Sequence, residues 1–124
     1  MGKILVIDDE KDIRKIIREY LESENYDVIE LESTQFIVET AKNEHPNMII
    51  IDVALSGEDG FTAAKKLRDD EDTFLIPIIF ISAQKNEYKD IVEGFFVGAS
   101  DYIAKPFTKK ELLTSISKVL SFKS

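Results

Sequence analysis

Four apolar runs punctuate this chain, and each ends in a polar residue able to do chemistry. Lys3 to Ile7 runs into Asp8 and Asp9, Asn47 to Ile51 into Asp52, Ile76 to Ile81 into Ser82, and Tyr102 to Ala104 into Lys105. Short continuous runs rich in Ile and Val, separated by helix-length segments, predict parallel strands buried on both faces. In open parallel sheets the working crevice lies outside the carboxyl ends of the strands. The pattern therefore predicts three carboxylates, one hydroxyl and one ammonium in one small volume.

Helix signals alternate with the strands. Glu10 to Ser23 places Ile13, Ile16, Ile17, Tyr20 and Leu21 on one face of a helix. Tyr26 to Leu31 reads as a second strand, weakened by intruding acids. A helix over Ser33 to Asn43, with Ser33 as N-cap, would turn Phe36, Ile37 and Ala41 inward. A loop containing Gly57 and Gly60 leads into a helix of about Gly60 to Arg68, and another is expected from Asn86 to Val97, stopped by Gly98. The fifth strand spans about Asp101 to Ala104. Thr108 caps a last helix carrying Leu112, Leu113, Ile116, Val119 and Leu120. Five β-α units give an α/β domain over residues 1–124: a doubly wound, five-stranded parallel sheet with five helices. With right-handed crossovers the natural strand order is the flavodoxin-like 2-1-3-4-5, whose switch point sets Asp8, Asp9 and Asp52 side by side.

Composition narrows the chemistry. The chain has 124 residues, room for one core, and no Cys, which excludes disulfides and thiolate-bound zinc. Apolar stretches stop well short of the roughly 18 residues of a membrane span, and the first residues read as a strand rather than a signal peptide, so the cytoplasm is the expected compartment. The net charge of -8 argues against a nucleic-acid surface and leaves room for a basic protein partner.

Two carboxylates ~4 Å apart repel by about 4 kcal/mol at an effective dielectric near 20. Lys105 alone cannot neutralise Asp8, Asp9 and Asp52, so either protonation or a divalent cation makes up the difference. Clustered carboxylates without His or Cys suit hard Mg²⁺. The single His45 lies in a surface turn with nothing of ligand type at useful spacing. With a cation neutralising a phosphoryl donor, Asp52 could act as nucleophile and form an aspartyl phosphate, with Ser82 and Lys105 each holding one phosphoryl oxygen. Taken singly the same residues read blandly: Asp8 or Asp9 as a helix cap, Ser82 as a loop residue, Lys105 as a surface lysine, Tyr102 as packing.

Together, and in order, these residues resemble the receiver domain of two-component response regulators, the CheY-like family. The likeness runs from Lys3 to about Leu120. It rests on Asp8-Asp9, Asp52, Asp59-Gly60-Phe61, Ser82-Ala83, and Gly98 through Tyr102, Lys105, Pro106 and Phe107. The resemblance implies that Asp52 is the phosphoacceptor. Mg²⁺ would be held by Asp8, Asp9, Asp52 and the backbone carbonyl of Ala54. Ser82 would be the hydroxyl switch, and Lys105 would bind the phosphoryl group beside a cis bond to Pro106. It also implies that Tyr102 is an aromatic switch. Its movement would remodel the face made by the helix of about Asn86 to Val97, the fifth strand and the last helix. Where the family commonly reads Met-Pro after the phosphoacceptor, this chain has Leu55-Ser56, and Ala54 and Gln84 stand where water access to the acyl phosphate is tuned.

The implied partners are a sensor histidine kinase or histidine phosphotransfer protein upstream and a downstream protein or output domain, with a phosphorylation-linked homodimer as a further expectation. Ile91, Val92, Phe95, Phe96 and Val97 crowd one stretch, and at least one of Ile91, Phe95 and Phe96 is expected on the docking face with Tyr102. Such a domain would catalyse only its own phosphorylation and dephosphorylation. A Mg²⁺-dependent phosphohydrolase is the alternative chemistry, but it would place a second Asp where Ala54 stands. A binding module that never meets phosphate would have no use for the full set, and a receiver cut from a diguanylate cyclase or hybrid kinase is the alternative context.

Overall fold

The computed structural model describes residues 2–55, 57–83 and 98–123. Five strands form one parallel sheet: β1 (Lys3–Ile7), β2 (Asp27–Leu31), β3 (Met48–Asp52), β4 (Ile78–Ser82) and β5 (Asp101–Ala104). Their order is β2-β1-β3-β4-β5, as the sequence predicts. Among the described residues there are four helices, α1 (Lys11–Glu22), α2 (Ile37–Glu44), α3 (Gly60–Arg68) and α4 (Lys109–Lys123). The helix expected over Asn86 to Val97 lies outside the described residues, as do Ile91, Phe95, Phe96, Ser56 and Gln84.

Period-two alternation along the central strands sorts the core into two layers. Leu5, Ile7, Ile49, Ile51, Ile78 and Phe80 face Ile37 and Ala41 of α2 and Ala63, Ala64 and Leu67 of α3. Ile4, Val6, Met48, Ile50, Ile79 and Ile81 face Ile17 and Leu21 of α1 and Leu112, Ile116 and Val119 of α4. Because both faces of β1, β3 and β4 are covered, their runs are apolar at every position rather than every second one. Each buried aliphatic side chain contributes about 1.5–3 kcal/mol relative to exposure.

Local signals set the element ends. Asp59 caps α3 by accepting the Thr62 N–H at 2.8 Å. Thr108 and Glu111 close a reciprocal capping box at α4: the Thr108 N–H donates to Glu111 Oε1 at 2.9 Å, and the Glu111 N–H donates to Thr108 Oγ1 at 3.0 Å. Gly98, expected as a helix stop, has φ of 73°, the left-handed region that favours glycine. His45 sits exposed at the C-cap of α2, with φ of 50°.

Four expectations need correction. The second helix begins at Ile37, with Phe36 rather than Ser33 at the N-cap position and no side-chain capping bond. Phe36 is consequently 54% exposed instead of inward. Ile16 is 39% exposed, because α1 buries Ile17 and Leu21 and only half-buries Ile13 and Tyr20. The inward stripe of α1 is narrower than its apolar content suggests. The fourth strand starts at Ile78, since Arg68 holds the preceding segment by donating to the Phe74 carbonyl at 3.0 Å and the Ile76 carbonyl at 2.8 Å.

Gly60 ties α3 to the end of β3. Its N–H donates to the Val53 carbonyl at 2.9 Å, and a Cβ there would stand 2.4 Å from the Asp52 carbonyl oxygen and 3.0 Å from the Val53 Cα. Backbone cannot yield as a side-chain tip can. Gly60→Ala should therefore lower unfolding free energy by about 1–3 kcal/mol, read from the urea midpoint. An unchanged midpoint would show that the helix shifts freely.

Candidate functional site

The carboxyl ends of β1, β3, β4 and β5 meet on one rim, and the loops leaving them carry the polar residues. Asp8 and Asp52 are 1% and 3% exposed. Each is held in the same way. Asp8 Oδ1 accepts the Glu10 N–H at 2.8 Å, and Asp52 Oδ1 accepts the Ala54 N–H at 3.0 Å. In both, the second oxygen faces the Lys105 ammonium: Asp8 Oδ2 at 3.1 Å and Asp52 Oδ2 at 2.9 Å. Parallel pairing explains the meeting. Register sets Ile7 beside Ile51, Asp52 beside Ile81 and Ser82 beside Ala104, so Asp8 and Asp52 leave their strands level, Ser82 stands one residue further along and Lys105 one further again.

Lys105 is delivered by β5, its N–H donating to the Ser82 carbonyl at 2.7 Å. The peptide bond between Lys105 and Pro106 is cis. Ser82 is buried at the end of β4. Tyr102, half-buried, stands 6.4 Å from the Phe80 ring, which makes an edge contact with Phe61 at 4.8 Å. Ala54 is exposed.

Asp9 differs from its neighbour in being exposed, yet it remains in the cluster. One carboxylate oxygen from each of Asp8, Asp9, Glu10 and Asp52 lies within 4.8 Å of the others. Glu10 was missing from the expected set. Its Oε1 is 3.3 Å from Lys105 Nζ, and its place directly after Asp8-Asp9 was the available signal. Arg14 was also missed: its guanidinium donates to the Asp8 carbonyl oxygen at 2.6 Å. The acid intruding in the second strand, Glu30, pointed that way, because it accepts from Arg14 Nε at 3.1 Å.

One ammonium facing two buried carboxylates leaves a charge imbalance. Burial pushes the Asp8 carboxyl up and the Asp52 charge adds to it; the Glu10 N–H and Lys105 pull down, and the result is about 6 against an ordinary 3.8. Burial would lower Lys105, but its contacts with Asp52 and Asp8 outweigh this and hold it above its ordinary value. An all-oxygen cluster with two buried and two exposed members suits a hard divalent cation that keeps part of its water. No helix among the described residues is long and apolar enough to cross a membrane.

The sequence model of the family described as response regulator receiver domain matches residues 4–117. The chain is 40% identical over 121 residues to the phosphate regulon transcriptional regulatory protein PhoB of Pseudomonas aeruginosa, covering 97% of this chain and 52% of that protein. It is 36% identical over 118 residues to the transcriptional regulatory protein ResD of Bacillus subtilis, covering 95% and 48%. The chain thus spans about half the length of these relatives. Among solved structures, the chemotaxis response regulator CheY4 of Vibrio cholerae superposes with a TM-score of 0.89 at 28% identity, covering 96% of this chain and 98% of that one. The receiver domain of a sensor histidine kinase from Pseudomonas aeruginosa, solved with a magnesium ion in its active-site cleft, gives a TM-score of 0.88 at 27% identity, covering 97% and 98%.

The raised Asp8 carboxyl has a definite sign in stability. Between its ordinary value of 3.8 and about 6 the folded protein holds a proton that the unfolded chain has released. The group's stabilising effect is therefore full below 3.8 and is lost as pH climbs through 6. In metal-free buffer Asp8→Asn should gain stability relative to the unsubstituted protein as pH rises from about 4 to 7, by on the order of 3 kcal/mol. Urea titrations across that range check it, and a difference independent of pH would contradict the placement of Asp8.

Proposed function

The chain belongs to the response regulator receiver family and is a phosphoacceptor signalling switch, and we propose that Asp52 is the residue that takes the phosphoryl group. The observation that carries this reading is the Lys105 ammonium in contact with both buried aspartates, 2.9 Å from Asp52 and 3.1 Å from Asp8, inside the acidic cluster. Receiver domains pair with histidine kinases, so the donor on this reading is a phosphohistidine of a sensor kinase or phosphotransfer protein.

Asp8, Asp9 and Asp52, with the main-chain carbonyl of Ala54, would hold Mg²⁺, and the all-oxygen donor set fits that ion. When bound, the ion supplies positive charge for the oxygens of the phosphoryl group. An Asp52 carboxylate oxygen forms the new P–O bond as the donor's P–N bond breaks, and the electron pair leaves with the imidazole, which takes up a proton. Lys105 stabilises the charge on the transferred group as a point charge, and Ser82 supplies a hydroxyl to another of its oxygens. Tyr102, packed beside Phe80, carries the change to the surface made by β5 and α4. Such domains are generally not enzymes toward outside substrates, and the product here is a conformation. The names of the longer relatives support an output in transcriptional regulation, delivered through a coupled domain or partner.

Incubation with Mg²⁺ and acetyl phosphate or phosphoramidate should add one phosphoryl group by intact mass, and chelation of the metal should prevent it. Asp52→Ala should abolish the addition. Lys105→Ala should weaken the conformational response, while Ser82→Ala should accept phosphate yet uncouple it from the Tyr102 movement, followed by NMR. Label that persists in Asp52→Ala would reject the nucleophile assignment.

A further inference from the structure

The turn that carries the acidic cluster is fixed by a residue outside it. The Arg14 side chain, only 12% exposed, bridges two elements. It donates through Nη1 to the Asp8 carbonyl oxygen at 2.6 Å and through Nε to Glu30 Oε1 at 3.1 Å. Glu30 is in turn anchored by Arg18 Nε, which it accepts through Oε2 at 2.5 Å. Glu30 sits on β2 in register with Val6, on the sheet face that packs against α1.

Peptide planarity makes this contact matter for the site. The Asp8 carbonyl belongs to the same rigid plane as the Asp9 N–H and Cα, so pinning the oxygen fixes the direction in which Asp9 leaves the turn. The next residue is fixed from the other side, by the bond from the Glu10 N–H to Asp8 Oδ1 at 2.8 Å. Asp9 and Glu10 are exposed, so burial does not fix them as it fixes Asp8 and Asp52.

We propose that Arg14 is a positioning residue: by clamping the Asp8 carbonyl against Glu30, it presents the Asp9 carboxylate to the metal and so sets the Mg²⁺ affinity of the cluster. This rests on the reading of the cluster as a Mg²⁺ site. The sign of the effect separates positioning from plain electrostatics. Removing a cation close to a cation site should tighten metal binding if charge alone mattered. Loss of the clamp should weaken it.

The test is calorimetric titration of the metal-free protein with Mg²⁺, without any phosphoryl donor, alongside thermal unfolding in chelator. Arg14→Ala should raise the Mg²⁺ Kd roughly tenfold, the scale seen when a group orienting a metal ligand is lost. Arg14→Lys keeps the charge but cannot serve the carbonyl and Glu30 together, so it should show a smaller rise in the same direction. Arg18→Ala removes an equal charge and a partner of the same Glu30, yet touches no part of the site. It leaves both Arg14 bonds in place, so it should lower the unfolding midpoint and raise Kd by much less than Arg14→Ala does. If Arg14→Ala folds poorly, the charge-preserving lysine variant decides. An unchanged or lower Kd in the Arg14 variants, with the unsubstituted protein binding Mg²⁺ normally, overturns the positioning role. An unsubstituted protein that binds no Mg²⁺ overturns the metal-site reading instead.

Discussion

The Lys105 ammonium stands between two carboxylates that the sheet has already removed from water. An isolated buried carboxylate is costly, and breaking a buried pair by removing one partner typically costs about 3–5 kcal/mol. Here one cation serves two acids, 2.9 Å from Asp52 and 3.1 Å from Asp8, so the rim of the sheet is left short of positive charge. The structure compensates locally. Each aspartate accepts a main-chain N–H from its own loop, two residues on, which delocalises part of the negative charge and leaves one oxygen of each free to turn toward the centre. What remains uncompensated appears as the raised Asp8 carboxyl. A site in this condition is poised to accept positive charge, and the proposed phosphoryl chemistry would bring its own in the form of the metal.

The same constraint explains why the apolar runs are so uniform. To bring residues from four strands to one rim in a fixed stagger, the sheet must hold its register, and a one-residue slip would move a whole strand's side chains to the opposite face. β1, β3 and β4 resist slipping because both faces are packed, Leu5 and Ile7 against one helix layer and Ile4 and Val6 against the other. Gly60 then brings α3 against the end of β3 at a distance no other residue allows, which fixes the loop that follows Asp52. Core packing and site geometry are thus a single problem here, since the oxygens that must converge are attached to the strands that must not move.

Most of this was legible in the apolar pattern, because strands buried on both faces write their position and depth into every residue. The order of strands, the bounds of α3 and β5, and the convergence of Asp8, Asp52 and Lys105 all followed from it. The losses came where burial is partial. Ser33 looks like an N-cap, but α2 starts at Ile37, since capping preference is worth only about 1 kcal/mol and tertiary packing decides where a short helix begins. Phe36 and Ile16 lie outward although their helical spacing points inward, because hydrophobic character says that a side chain can be buried and not that the fold has room for it. Glu10 and Arg14 escaped for a different reason. Their roles depend on contacts to Lys105 and to the Asp8 main chain, and a carbonyl oxygen leaves no mark on the sequence.

Asymmetry between the members of the acidic cluster gives the site its remaining logic. Asp8 and Asp52 are immobilised by burial, whereas Asp9 and Glu10 stand in solvent, where their charge is screened. On the proposed Mg²⁺ reading, the buried acids would supply a fixed direction and the exposed acids a path for a hydrated cation to enter. On the same reading, an exposed ligand that must arrive in one place is aimed in part by its backbone, because burial does not fix it. The backbone in question is the turn after β1, with the Asp8 side chain gripping it from inside and a guanidinium anchored on β2 gripping it from outside. β2 is one of the two edge strands and contributes no residue to the acidic cluster. Its Glu30 nonetheless reaches the site through that anchored guanidinium, so a strand at the edge of the sheet takes part in the geometry of its centre.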